Sequence, residues 1–359
     1  TVKLKKENNL QEFKIMINTK IIGTGVYLPG KPISNEEVKK LANVEFDSDR
    51  LENNTGIKYR HIARLRQIQE TTADFAEKAA MNALSDARIS ADDIDLIIVA
   101  TDTPEYISPA TSLLLQGRLQ KRQNRIMSFD VGSSCASFSV AFDTANRILY
   151  ANETFKHALV VGVYNMPAYI REKDSFGWSI FADGAGAFVI GKEDIKPKSK
   201  DAEYSSSGYL DGEFVTDGTQ WNFLGVYTGG TKKPVTHELL DKGTYGFELL
   251  QKMPGDRNIK LWPGIIESLC KRAGVALDSI NCYVMTQINK SVILEVMKIL
   301  GQPVEKAALT MDKYGYTGSA CVPIAFNEMI KQNKVKRGDK VLFCASGAGL
   351  EVGTNLFIY

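Results

Sequence analysis

Ala87-Arg88-Ile89-Ser90-Ala91-Asp92-Asp93-Ile94-Asp95 closes a helical pattern, turns through Asp-x-Ile and runs into an apolar segment. The same grammar returns as Ala273-Gly274-Val275-Ala276-Leu277-Asp278-Ser279-Ile280-Asn281, offset by 186 residues (87 to 273). Two further matches keep the order. Ala141-Phe142-Asp143 pairs with Ala325-Phe326-Asn327 at an offset of 184 (141 to 325), and Leu159-Val160-Val161 with Leu342-Phe343-Cys344 at 183 (159 to 342). Any one match could arise by chance; the shared order marks a duplicated unit of about half the chain. The halves are placed at residues 16–195 and 196–359.

Outward from these segments, apolar runs alternate with amphipathic ones. Lys20–Tyr27, Leu96–Ala100, Ile126–Val131, Ala158–Val163, Ala185–Ile190, Tyr283–Met285, Val341–Cys344 and Asn355–Tyr359 read as strands. Several are continuous rather than alternating, as strands covered on both faces are. Thr72–Ala87, Ala136–Ala151, Trp262–Ala273 and Ser291–Leu300 read as helices. The alternation is that of an α/β protein built of βαβ units, with a mainly parallel sheet expected. Ser205–Gly255, rich in Gly, Thr and Lys, reads as the start of the second half plus an irregular excursion of the kind that lines or caps a site.

The 359 residues are 44% hydrophobic and 24% charged, with 44 basic and 42 acidic side chains and a formal net charge of +2. That balance gives no reason to expect nucleic acid or a polybasic membrane surface as a partner. No apolar run approaches 18 residues, so no transmembrane helix is expected. Thr1–Lys14 is mixed in charge and has no apolar core, so it does not read as a secretory signal. Five scattered cysteines without a CxxC pair argue against a disulfide framework or a zinc cluster and for a reducing, cytoplasmic setting. No metal-ligand spacing or dinucleotide-binding context exists, so neither metal nor cofactor is expected.

Cys135 is the residue with chemistry to offer. It follows Phe129-Asp130-Val131-Gly132-Ser133-Ser134, a strand entering a helix through a Gly-Ser turn. At the offset of 184 its counterpart is Ser319, so only the first half carries a thiol there. A cysteine at a helix N-terminus meets the helix dipole and unpaired N–H groups, which favour thiolate. A thiol of pKa about 8.5 is roughly 3% ionised at pH 7, and a one-unit drop would bring about 25%. Packing of the helix start by a small side chain is the competing reading. Cys270, Cys282, Cys321 and Cys344 lie in apolar patterns and read as core. Of the three histidines, His61, His157 and His237, only His237 lies in the excursion that could reach a pocket.

The chain resembles β-ketoacyl-acyl-carrier-protein synthase III and its relatives in the thiolase superfamily. The resemblance is carried by Ile22-Gly23-Thr24-Gly25-Val26-Tyr27-Leu28-Pro29, Thr55-Gly56-Ile57 with Arg60-His61-Ile62-Ala63, Ile98-Val99-Ala100-Thr101, Phe129-Asp130-Val131 before Cys135, Ala182-Asp183-Gly184-Ala185-Gly186-Ala187, and Gly347-Ala348-Gly349 followed by Gly353. It spans about Ile21 to Tyr359 and implies two βαβαβαββ halves stacked as a five-layer α-β-α-β-α sandwich, usually a homodimer. It places Cys135 on the acyl-accepting nucleophile, with the backbone N–H groups of Cys135 and Gly349 as the oxyanion hole. The implied partner is an acyl-carrier-protein or coenzyme A thioester.

Three departures stand against the pattern. Met285-Thr286-Gln287-Ile288-Asn289 puts Thr286 where decarboxylating members carry histidine, and Tyr314-Gly315-Tyr316-Thr317 puts Tyr316 where they carry asparagine. Those two side chains hold the malonyl carbonyl oxygen as CO₂ leaves, and losing one such donor typically costs about 10²–10³ in rate. Arg50 and Asn54 stand where coenzyme A users often stack adenine between Trp and Arg, which favours a carrier-bound donor. The resemblance and its departures together imply an acyltransferase acting without decarboxylation in specialised lipid or polyketide biosynthesis, with His237 the candidate substitute base. Two alternatives stand beside it: a decarboxylating synthase with rearranged helpers, and a non-catalytic partner of an active paralogue.

Overall fold

The computed structural model describes residues 16–195 and 207–359. Thr1–Lys14 and the boundary placed between 195 and 196 lie outside or at the edge of the described residues. Strands β1 (Met16–Tyr27), β2 (Leu96–Ala100), β3 (Met127–Val131), β4 (His157–Tyr164) and β5 (Gly184–Ile195) form one sheet in the order β1-β5-β4-β2-β3. Strands β6 (Gly208–Gln220), β7 (Cys282–Met285), β8 (Lys340–Gly347) and β9 (Gly349–Ile358) form the other, in the order β7-β8-β9-β6. Helices α1 (Thr72–Ala87) and α2 (Thr111–Gln120) cover the outside of the first sheet. Helix α4 (Arg257–Arg272) packs on the outside of the second, with α5 (Lys290–Ile299) beside it. Helices α3 (Ser137–Ala151) and α6 (Cys321–Lys331) touch strands of both sheets and form the middle layer. The result is the thiolase-like five-layer sandwich.

The sequence explains which helices go where. Buried alanines at 73, 76, 79, 80 and 83 give α1 one apolar face, and a reciprocal cap between Thr71 and Asp74 starts it. It lies close on β1 because Gly25 has no side chain: a Cβ there would meet the backbone of Ala79 and Ala83. Helix α6 is different, with every residue from Cys321 to Met329 buried. A helix buried all round belongs in the interior. Between the sheets Phe138, Phe142, Phe188, Phe326, Phe343 and Phe357 pack mostly edge to face, Phe138 against Phe188 at 5.0 Å and Phe343 against Phe357 at 4.9 Å.

The repeated segments are structural equivalents. In the first sheet Ile97 of β2 lies opposite Leu159 of β4; in the second Tyr283 of β7 lies opposite Leu342 of β8. Both pairings are parallel; Ile97 and Tyr283 lie two residues past the segments matched at an offset of 186, and Leu159 and Leu342 belong to those matched at 183. Helices α3 and α6 begin at residues 137 and 321, again 184 apart. Where the first sheet has β3, the second has a single bridge between Tyr283 and Ala307.

Two expectations need correcting. The sheets are mixed rather than mainly parallel: β1, β5, β6 and β9 run antiparallel to their neighbours. Strand β9 follows β8 after one residue, and so tight a return permits only antiparallel pairing. The excursion after 205 is also less irregular than it reads, since it opens with the 13-residue strand β6.

Candidate active site

Cys135 sits between the end of β3 and the first turn of α3. The turn is fixed from several sides. Ala136 N–H donates to Ser133 O at 3.0 Å and Ser137 N–H to Ser134 O at 3.1 Å. Ser133 N–H donates to Ser137 Oγ at 2.8 Å, and Ser137 Oγ returns a bond to Ser134 O at 2.5 Å. Ser134 has φ of 48°, a left-handed conformation uncommon for a residue with a Cβ. From the second half, Glu351 accepts from Ser133 Oγ. Gly347 lies against the same turn, where any side chain would run into the carbonyl of Ser133.

Around the thiol stand groups from both halves. Tyr316, 3% exposed, is held by its backbone between Ile180 O (3.1 Å) and Ala182 N–H (2.9 Å), and its hydroxyl donates to Cys135 Sγ. Asp102 follows β2, the parallel neighbour of β3, where Thr101 N–H bonds Val131 O at 3.1 Å. Its Oδ1 is buried without a hydrogen bond, and burial pushes the carboxyl up to about 6. Arg257, half-buried at the start of α4, reaches Gln220 Oε1 at 3.3 Å. Burial lowers the guanidinium below the usual arginine range, opposed by Tyr316 and Cys135.

These groups set the thiol. Desolvation pushes Cys135 well above the usual cysteine range and the Asp102 carboxylate adds to that, while the Tyr316 hydroxyl and the Arg257 charge pull back. The structure thus differs from the lowered thiol expected of a helix terminus. Helix α3 begins at Ser137, two residues on, and burial outweighs its dipole. Cys135 is nevertheless the half-exposed thiol; Cys270, Cys282, Cys321 and Cys344 are buried.

Thr286 follows β7 and is 1% exposed, and its Oγ1 accepts from Ser346 N–H at 2.8 Å. Gly349 lies opposite Gln220 in the β9–β6 ladder. His237 is exposed as the first residue of a five-residue helix, and nothing in the structure ties its ring to Cys135. His61 is buried, its Nδ1 3.2 Å from the carbonyls of Pro29 and Gly30, and burial lowers it. Arg50 and Asn54 are exposed on the helix Ser48–Thr55. Sequence reasoning missed Asp102 and Arg257. Asp102 lies just past the carboxyl end of a parallel strand, where α/β proteins bind ligands, and that signal could have found it. Arg257 had none.

Among the described residues no His, Cys, Asp and Glu side chains gather in a set able to hold a metal ion, and no helix is long and apolar enough to cross a membrane.

Comparison with known proteins points to one family. A family model described as 3-oxoacyl-[acyl-carrier-protein (ACP)] synthase III matches residues 129–208, and one for the C terminal of that enzyme matches residues 270–359. The β-ketoacyl-[acyl-carrier-protein] synthase III of Rhodopirellula baltica is 30% identical over 346 residues, covering 94% of this chain and 97% of its own. That of Chelativorans sp. is 33% identical over 341 residues, covering 95% and 99%. The crystal structure of the Aquifex aeolicus 3-oxoacyl-[acyl-carrier-protein] synthase III superposes with a TM-score of 0.79 at 31% identity, over 95% of this chain and 100% of that one. At such identity across nearly the whole of both chains, the protein belongs to the β-ketoacyl-acyl-carrier-protein synthase III family of condensing enzymes.

Proposed function

We propose that Cys135 takes an acyl group from a carrier-protein or coenzyme A thioester and passes it to a nucleophile without decarboxylation. Sγ attacks the thioester carbonyl, the Sγ–C bond forms, the donor C–S bond breaks, and the leaving thiol takes up the proton that Cys135 gave up. An amine, alcohol or activated carbon then attacks the acyl-Cys135 carbonyl, loses its proton, and frees the thiol. In this reading the N–H groups of Cys135 and Gly349 hold the oxyanion in both steps. The observation that carries it is the Tyr316 hydroxyl bonded to Cys135: at the asparagine position of decarboxylating members stands a donor committed to the nucleophile. Thr286, at the histidine position, has its Oγ1 engaged by a backbone N–H. Neither side chain is cationic, so an enolate would form without the imidazole that decarboxylation uses.

The test is intact-protein mass spectrometry after incubation with acetyl, butyryl and octanoyl thioesters on coenzyme A and on a carrier protein. An acyl mass on wild type that Cys135→Ala lacks is expected. No adduct from any donor would overturn the proposal and leave the non-catalytic reading.

A further inference from the structure

Arg257 has no carboxylate partner among the described residues. Two arginines beside β6 do: Arg272 pairs with Asp211 and Glu213, and Arg147 with Asp143 and Asp211. Arg257 instead spends one N–H on a neutral oxygen, Gln220 Oε1, whose own amide nitrogen donates to Asp217 Oδ2 at 2.8 Å. A guanidinium presents five donors in a planar fork that matches a carboxylate. Its position is fixed by the second sheet. Gln220 is the cross-strand partner of Gly349, and Gly347 packs on the turn carrying Cys135. Through these contacts Arg257 is tied to the sheet that packs on the Cys135 turn, and its charge is felt at Cys135 and Tyr316.

We infer that Arg257, oriented by Gln220, is an anion site beside Cys135 that binds a substrate carboxylate. The inference rests on the reading of Cys135 as the acyl-accepting nucleophile. The carboxylate belongs either to the far end of the acyl group or to the acceptor; the chemistry at Arg257 is the same. It also agrees with transfer without CO₂ loss. Decarboxylation moves negative charge off the carboxylate, so a guanidinium paired with it favours the ground state over the transition state.

Two alkylating probes of nearly one size, one anionic and one neutral, test the site without any acyl chemistry. Iodoacetate and iodoacetamide both form an Sγ–CH₂ bond on Cys135, expel iodide and release the thiol proton to water, but only the first carries a carboxylate. The iodoacetate-to-iodoacetamide rate ratio at Cys135, followed by peptide mass spectrometry, should fall about five-fold or more in Arg257→Gln and be largely kept in Arg257→Lys. On the unaltered protein, succinate should slow iodoacetamide labelling of Cys135 and succinamide should not, which keeps the test open if the glutamine variant folds poorly. An equal ratio in wild type and Arg257→Gln, or equal protection by succinate and succinamide, would overturn the inference. Matched thioesters then separate the two sources. A preference for succinyl over butyryl donors that Arg257→Gln loses places the carboxylate on the acyl group; a preference for acidic over methyl-ester acceptors places it on the acceptor. Absence of any acyl-Cys135 alongside a shifted alkylation ratio would sink the proposed function and leave the anion site standing.

Discussion

At Cys135 a half-exposed thiol is held between groups that oppose each other. The Tyr316 hydroxyl donates to the sulfur and so stabilises thiolate, whereas the Asp102 carboxylate repels it. A hydrogen bond to a charged group is worth about 1.5–3 kcal/mol, so Tyr316→Phe should slow iodoacetamide labelling of Cys135 at pH 8 by about ten-fold or more. Asp102→Asn should do the opposite. Its carboxyl titrates near 6, so the wild-type charge is present above that pH and absent below it. The acceleration should therefore be several-fold at pH 8 and vanish by pH 5, which a rate–pH profile of both proteins reads directly. The same tyrosine bears on decarboxylation. CO₂ release from malonyl-carrier protein should be negligible in wild type and rise in Thr286→His with Tyr316→Asn, since each restored donor is worth about 2.7–4 kcal/mol against a developing enolate. Release from wild type as fast as from the double variant would show that these donors were never the limitation.

Two glycines of the first and second sheets separate stability from reactivity at the scale of elements. Gly25 lets α1 lie on β1, and Gly347 lets β8 lie on the Ser133–Cys135 turn. Gly25→Ala should cost about 1–3 kcal/mol through overpacking, seen as a lower thermal midpoint with Cys135 labelling unchanged. Gly347→Ala should lower the midpoint less but displace Cys135, and for the proposed nucleophile an error of 1 Å can cost about 10² in rate. Acylation and melting curves measured on both variants give the comparison. The elements themselves were largely legible in the chain: Thr72–Ala87 and Leu96–Ala100 form a helix and a strand with those bounds. Their periodicity comes from burial on one face or two, which sequence records. Strand β6 was not legible, because Gly208–Gln220 pairs on one side only and keeps Asp, Glu and Thr on its open faces. Strand direction was misread for a related reason. Continuous apolar runs report burial on both faces, which central antiparallel strands such as β5 share with parallel ones. Of the site, the turn around Cys135 could be found by comparing the halves. Tyr316 entered only through a resemblance, and Arg257 opens a helix 122 residues beyond the cysteine (135 to 257), a proximity no local pattern encodes.

Neither half of the molecule holds the whole of the proposed site. Cys135 and Asp102 come from the first, while Tyr316, Gly349, Arg257 and Gln220 come from the second, so on the proposed reading the two sheets must stack before the chemistry exists. One large core crosses the middle layer and joins them. The stacking leaves the sheet edges unequal. At β1, Arg337 donates to Ile21 O; at β6, Arg272 donates to Gly212 O; beside β7 lies the bridge to Ala307. Among the described residues strand β3 has only β2 beside it. Met127 N–H bonds Asp95 O at 3.0 Å and Val131 O accepts from Thr101 N–H, so at a period of two the N–H of Ser128 faces the open side. Nearby Tyr106, Ile107, Leu113 and Met127 are exposed, Ile107 to 85%. An open edge flanked by apolar side chains recruits another strand, and a second copy of the same edge closes the pairing with two-fold symmetry. We therefore expect a homodimer joined through β3, with light scattering giving twice the chain mass at micromolar concentration. Ser128→Pro removes only the outward donor and should give a monomer with its far-ultraviolet circular dichroism intact. Wild type at the mass of one chain would refute the dimer; a Ser128→Pro protein that stays dimeric would move the interface away from β3.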